Sequence, residues 1–409
     1  MKHTGIIGGG ASGMMAAIAA ANAGALVTIL ESKDRIGKKI LATGNGKCNL
    51  SNLDFCVERD YRGNNTEKLK TYFDQFSVND TIRFFNDRGM LLTDRGGYLY
   101  PRCNQASAVL DLFRSELAFL GVNVICGCRI LDIQNRNGFL VKTQDKTYRF
   151  DSLILACGTK AGTGKKDAVD GFSMAKKLGL KVYEPLPALT ALHCKEAFFK
   201  ALAGVRCQAL VKLIIQDNKR ESIYEESGEL QLTDYGISGI PVFQLSRYAS
   251  KALESKQKVR AVINFLPEIS DENWPLFCKK QFEAGRQKSV EMLGNGMIHK
   301  KAVQVLLKQC NLRGEEIVSD KNRKRIFDFF ESMRHLQVEV CGINPVENAQ
   351  ICMGGVSLQE VNENLESHKY PGLYLCGEML DVDGRCGGYN LQWAWTSGYI
   401  AGSAGAAKK

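Results

Sequence analysis

The first apolar stretch runs from Gly5 to Leu30 without a charged residue, long enough to imitate a membrane span. Its internal order argues for something else. Gly5-Ile6-Ile7 leads into Gly8-Gly9-Gly10-Ala11-Ser12-Gly13, an alanine-rich helical stretch follows, and Gly24 ends it. Leu26 to Leu30 is then a second short buried strand, closed by Glu31. Three consecutive glycines suit a strand-to-helix turn and would open a membrane helix poorly.

Further along, Leu153-Ile154-Leu155-Ala156-Cys157-Gly158 and Gly372-Leu373-Tyr374-Leu375-Cys376-Gly377-Glu378 are strand-like runs ending in small residues. Between them the pattern changes. Val205 to Leu232 breaks into short β-like runs with turn signals, Arg260 to Phe265 and Gln337 to Ile343 add more, and Asp271 to Glu331 has helical periodicity with high charge.

The N-terminal pattern carries a chemistry. Gly8 makes the tight turn, Gly10 lets backbone approach a pyrophosphate, and Gly13 allows close helix–strand packing. Ala11 and Ser12 lie in the first helical turn, whose N–H groups face the phosphates. Glu31, about 20 residues on, is placed to accept from ribose hydroxyls. Strand, glycines, helix, strand and acid in this order predict a dinucleotide site.

Other segments choose FAD over NAD. Arg35-Ile36-Gly37-Lys38-Lys39 precedes Thr43-Gly44-Asn45-Gly46-Lys47-Cys48-Asn49-Leu50-Ser51-Asn52, an amide- and glycine-dense stretch suited to lying along a diphosphate and a flavin. Near the C-terminus, Asp381-Val382-Asp383-Gly384 and Gly387-Gly388-Tyr389-Asn390-Leu391-Gln392 open a second helix, whose N-terminus suits the negative edge of a reduced flavin. The expected FAD contacts are Gly8, Gly10, Ala11, Ser12, Gly13, Glu31, Lys38, Lys39, Gly44, Asn45, Gly46, Cys48, Asn49, Ile130, Ala156, Cys157, Gly158, Gly377, Glu378, Asp383, Gly388, Tyr389, Asn390 and Leu391. Gly162-Thr163-Gly164-Lys165-Lys166 departs from a phosphate loop and is a glycine-rich loop only.

Composition narrows the class. A chain of 409 residues implies two or three domains. Its 14 cysteines include no Cys-x-x-Cys pair, which favours reduced thiols in a cytoplasm over a disulfide framework. His193, His299 and His335 show no metal spacing, so no metal is expected. The net charge of +10 suits an anionic ligand, while the clusters Lys279-Lys280, Lys300-Lys301 and Lys321 to Arg325 lack interleaved aromatics, which argues against nucleic acid.

These motifs resemble those of the BaiN-like flavoproteins, bacterial NAD(P)/FAD-dependent oxidoreductases or aminoacetone-oxidase-type enzymes. The resemblance rests on Gly8 to Gly13 with Glu31, Gly37 to Asn49, Gly354-Gly355-Val356, and above all Gly372 to Gly398. Three positions depart from the family's pattern: Asp234 stands in a His place, Cys352 and Met353 precede Gly354, and Lys47 replaces an Arg. The resemblance implies an α/β architecture: a Rossmann-like FAD-binding domain (1–187 and 346–409) with an inserted β-barrel-like substrate or cap domain (188–345) bearing a small helical subdomain (271–331).

No second glycine motif follows a strand in residues 151–340, so NAD(P)H is expected to dock transiently as reductant. The leading expectation is reduction of conjugated C=C bonds in an apolar carbonyl compound, with 3-oxo bile-acid intermediates implied by the resemblance. Alternatives are an O2-dependent amine oxidase, with Tyr389, Trp393 and Trp395 available as a cage, and an FAD-dependent RNA-modifying or electron-transfer protein. Tyr389, Tyr235 and Lys47 are proton-donor candidates by type, and no catalytic residue is assigned. Cys48 and Cys386 are either packing residues or flavin neighbours.

Overall fold

The computed structural model describes residues 1–162, 171–217 and 220–407; the expectations placed on Thr163 to Asp170 lie outside them. The charge-free N-terminal run folds as β1 (His3–Ile7), α1 (Ala11–Asn22) and β2 (Leu26–Leu30). β1 and β2 are parallel, with Ile6 opposite Ile29 and Ile7 opposite Leu30. β3 (Asn123–Ile125), β4 (Ser152–Leu155) and β5 (Leu373–Leu375) complete a five-stranded parallel sheet in the order β5-β4-β1-β2-β3. Short strands without alternation are what a parallel sheet covered on both faces requires.

The last helix, α2 (Tyr389–Ala406), crosses α1 at very close range. A Cβ added at Gly398 would lie 2.4 Å from the Ser12 carbonyl oxygen, and one at Gly402 would lie 2.2 Å from that of Ala16. The crossing therefore needs glycine on one helix and small residues on the other. Ser12 through Ala20 are all buried, so the composition that imitates a membrane span belongs to an internal helix. Among the described residues no helix is long and apolar enough to cross a membrane.

The chain divides into two compact units, Met1–Leu186 with Val346–Lys409, and Pro187–Pro345. In the second, six antiparallel strands close a barrel in the order Leu192–Cys194, Gly236–Gly239, Glu221–Leu232, Arg206–Gln216, Lys258–Asn264 and Leu336–Ile343. Leu192 opposite Ile343 closes it. The apparent short runs of Val205 to Leu232 are one long hairpin with Gln216 opposite Glu221; outward charges interrupt its hydrophobicity in the sequence without interrupting the ladder. Helices Trp274–Gly285, Val290–Asn295, Lys300–Gln309 and Arg323–Arg334 form the helical part. The Rossmann-like α/β fold with an inserted barrel and helices is the one the sequence predicts.

Candidate functional site

The turn between β1 and α1 uses its glycines for different ends. Gly8 has φ +105°, and a Cβ there would lie 2.4 Å from the Ala156 carbonyl oxygen; at Gly13 it would lie 2.0 Å from that of Gly8. Both are wedged against backbone. At Gly10 an added Cβ would meet nothing within 4 Å. The α1 N-terminus carries no side-chain cap and no acid in its first turn, so the free space beside Gly10 has the positive field an anion needs. Glu31 is buried at the end of β2, its Oε2 accepting from Gly9 N at 2.7 Å and its Oε1 from Lys33 N at 2.8 Å. These bonds hold a carboxylate beside the glycine turn, where a ribose acceptor belongs.

The C-terminal motif meets the N-terminal one here. A Cβ on Gly377 would touch Ser12 Oγ at 2.4 Å, Gly377 N donates to Ser397 Oγ at 2.9 Å, and Trp393 Nε1 donates to Gly377 O at 3.1 Å. Ala156, Cys157 and Gly158 follow β4 on the same side, with Ala156 N donating to Ile7 O and the Cys157 thiol to the same oxygen at 3.5 Å. Lys39 and Glu378, expected as separate cofactor contacts, form an ion pair at 2.7 Å across 339 positions, and Thr159 Oγ1 donates to the same carboxylate at 3.2 Å. A carboxylate this near a phosphate-type turn would repel an anion, and Lys39 offsets its charge. Lys38 instead pairs with Asp34, four positions earlier in the connecting turn.

The segment around Asn45 adopts left-handed backbone at Gly44 (φ 55°), Asn45 (φ 53°), Gly46 (φ 82°) and Cys48 (φ 59°). It delivers Asn49 to the start of α2. There Gly388 caps the helix at φ +95°, and a Cβ on it would lie 2.6 Å from Ser51 O and 2.8 Å from Asn49 Oδ1. Among the described residues Asn49 Oδ1 is buried without a hydrogen-bond partner, which is costly unless a ligand or water pairs with it. Like α1, α2 has neither a side-chain cap nor an acid in its first turn.

Other expected residues serve the scaffold. Asn390 ties the preceding turn, accepting from Gly384 N at 2.8 Å and donating to Gly384 O at 2.9 Å. The Tyr389 hydroxyl donates to Asp54 O at 2.7 Å, and burial, reinforced by Asp60, pushes its pKa up to about 12. Asp383 is buried in a short strand opposite Arg62, and Leu391 is half-buried on α2. Ile130 opens the strand Ile130–Asn135, two residues beyond Cys128, whose N donates to Glu31 O at 2.8 Å. Trp395 stacks on Phe113 and donates to Leu50 O at 3.0 Å, so with Trp393 it serves packing rather than an amine cage. Burial pushes the Cys48 thiol up to about 12, which removes its nucleophilicity at neutral pH. Cys386 behaves alike, burial raising it to about 11. Tyr235 stands in the barrel unit beside His193, and Lys47 is exposed in the first unit.

Sequence reasoning passes over the hairpin Leu92–Arg95 and Tyr98–Pro101, although Gly96-Gly97 between two β-like runs is a two-residue hairpin signature. It places Tyr98 and Tyr100 against the glycine turns: Cβ atoms on Gly387 and Gly44 would lie 2.9 Å from Tyr98 Cε1 and 3.5 Å from Tyr100 Cε1.

An open glycine turn, a ribose-type acid, and an unpartnered buried amide at a second helix N-terminus are groups of the kind that FAD requires. The fold and these features, taken with the relatives below, define a flavin-dependent oxidoreductase. The chain belongs to the family described as HI0933-like protein Rossmann domain, whose model matches residues 2–404. It is 39% identical to a 3-dehydro-bile acid delta(4,6)-reductase of Clostridium scindens, over 99% of each chain. It is 26% identical to a ribosomal RNA dihydrouridine synthase of Haemophilus influenzae, over 96% of each chain. Among solved structures, the 3-ketosteroid-delta4-(5alpha)-dehydrogenase of Rhodococcus jostii has the same overall fold. Its TM-score is 0.51 at 15% identity, covering 100% of this chain and 97% of that one.

Proposed function

We propose that this protein is a cytoplasmic reductase that uses FAD and NAD(P)H to reduce conjugated C=C bonds in apolar carbonyl compounds, 3-oxo bile acids among them. The observation that carries the reading is the full-length 39% identity to a bile acid delta(4,6)-reductase, on a chain whose first glycine turn leaves free space at Gly10. We assign Met1–Leu186 with Val346–Lys409 to the cofactor, and Pro187–Pro345 to the part of substrate recognition that the first unit does not supply. FAD, when bound, supplies hydride transfer to an electron-poor carbon. The residues around it hold and orient: Gly10 to Ser12 receive the diphosphate, Glu31 the ribose, and Asn49 with the α2 N-terminus the polar edge of the flavin.

The identity to a ribosomal RNA dihydrouridine synthase supports a second reading, in which the acceptor is a uridine in RNA. The two chemistries are close, because dihydrouridine is uridine with the ring double bond beside its carbonyl reduced. Incubation of the holoenzyme with NADH or NADPH and either a 3-oxo-4,6-diene bile acid or a ribosomal RNA fragment separates them. Mass spectrometry is expected to find added hydrogen in the steroid and none in the RNA. Addition to the RNA alone would replace the first reading with the second.

A further inference from the structure

The hairpin of residues 92–101 has two unlike faces. In its register Arg95 lies opposite Tyr98, Thr93 opposite Tyr100, and Asn52 opposite Tyr98, so these five share one side of the three-stranded sheet. The other side carries Leu99 and Ser51, both buried. The first side is buried at Asn52 and opens beyond it: Tyr98 is 37% exposed, Tyr100 half-buried, and the Arg95 guanidinium sits 5.5 Å from the Tyr100 ring centre. Asn52 Nδ2 donates to Gly387 O at 3.0 Å, which fixes this side against the turn that opens α2.

Charge on this face is unbalanced. Arg95 forms no ion pair among the described residues, and the nearby acids are otherwise engaged. Asp54 pairs with Arg59 at 3.0 Å, and Asp94, on the opposite side of the hairpin, accepts from Gly97 N. The α2 N-terminus adds positive potential.

We propose that Tyr98, Tyr100 and Arg95 form the recognition wall for the substrate of the reductase, taking a ligand with a flat or gently curved apolar body and one carboxylate. The two rings cover the body and Arg95 takes the anion. This rests on the reductase reading above. It favours a steroid acid over RNA because one cation beside one tyrosine pair lacks the row of phosphate contacts that an RNA strand needs.

The test uses oxidised holoenzyme titrated with a ring-saturated 3-oxo bile acid, which cannot be reduced at a C=C bond, and with its methyl ester, followed by calorimetry. Arg95→Met is expected to raise the Kd of the acid about tenfold and leave that of the ester within about twofold, the size of one charge-assisted contact. Tyr98→Ala is expected to weaken acid and ester alike by about tenfold, with FAD affinity, read by flavin fluorescence, unchanged in both variants. Unchanged steroid affinity in both variants, with wild type binding normally, would overturn the wall and leave the reductase reading standing. A loss of FAD affinity instead would assign the face to the cofactor. A wild-type protein that holds FAD but binds neither steroid, or that binds a uridine-rich oligonucleotide through Arg95 and Tyr98, would overturn wall and reductase reading together.

Discussion

The two glycine turns that open α1 and α2 look alike in the sequence and are built on opposite rules. Both start a helix with no side-chain cap and no acid in the first turn. At α1, the glycine that caps the helix, Gly10, faces open space. At α2, the corresponding Gly388 is pressed on Ser51 O and Asn49 Oδ1, and Gly387 on the Tyr98 ring. The first turn leaves space at its capping glycine that the described residues do not fill. The second is shaped by the chain itself, which leaves one polar atom, Asn49 Oδ1, for a ligand. Glycine at a helix start is therefore evidence for a ligand where its missing Cβ leaves room, and evidence for packing where it does not.

Substitutions at both helices sharpen this contrast. The largest effect is expected at the crossing of the helices: Gly402→Leu would drive a side chain into the Ala16 backbone and cost about 3 kcal/mol or more, read as loss of soluble folded protein or a collapsed denaturation midpoint. Gly388→Ala combines a left-handed φ with a backbone contact and is expected to cost about 2 kcal/mol in urea unfolding of the apoprotein. Gly10→Ala inverts the pattern. Its extended backbone (φ −80°, ψ −170°) and open Cβ site predict apoprotein stability within about 0.5 kcal/mol of wild type, with FAD affinity down about tenfold, roughly 1.4 kcal/mol. Equal destabilisation by Gly10→Ala and Gly388→Ala would erase the distinction.

The smallest effect is a pH dependence at Cys376, the residue before Gly377. Burial raises its thiol from about 9 to about 12 in the folded protein. A raised acid holds its proton in the native state and loses it on unfolding, so its contribution is intact below about pH 9 and is lost as pH rises toward 12. Between pH 8 and 10 wild type is expected to lose about 1 kcal/mol more than Cys376→Ala, compared by urea unfolding at each pH. Parallel curves would show that the thiol is not desolvated.

Much of this architecture is legible in the sequence because local signals and the global fold agree. β1, the glycine turn, α1 and β2 are contiguous, and their apolar runs are short enough to mark strands. What sequence reasoning misses depends on pairing at a distance. Nothing local joins Lys39 to Glu378, so each alone looks like a free ligand contact. The tight helix crossing is written in Gly398-x-x-x-Gly402, yet the residues it presses on, Ser12 and Ala16, lie 386 positions earlier (398 − 12 and 402 − 16). The Gly96-Gly97 hairpin carries a readable turn signal, but its consequence, two tyrosines set against two glycine turns, arises only once the chain ends meet. Trp393 and Trp395 offer aromatic surface by type, and burial turns it inward.

The most direct test of the central claim is an anaerobic titration of the purified protein with NADH and then NADPH, following the flavin absorption band. The expected result is a yellow protein whose band bleaches with one nicotinamide and returns on addition of a 3-oxo-4,6-diene bile acid. A colourless protein that cannot be loaded with FAD, or a bleached band that oxygen restores and the steroid does not, would contradict it.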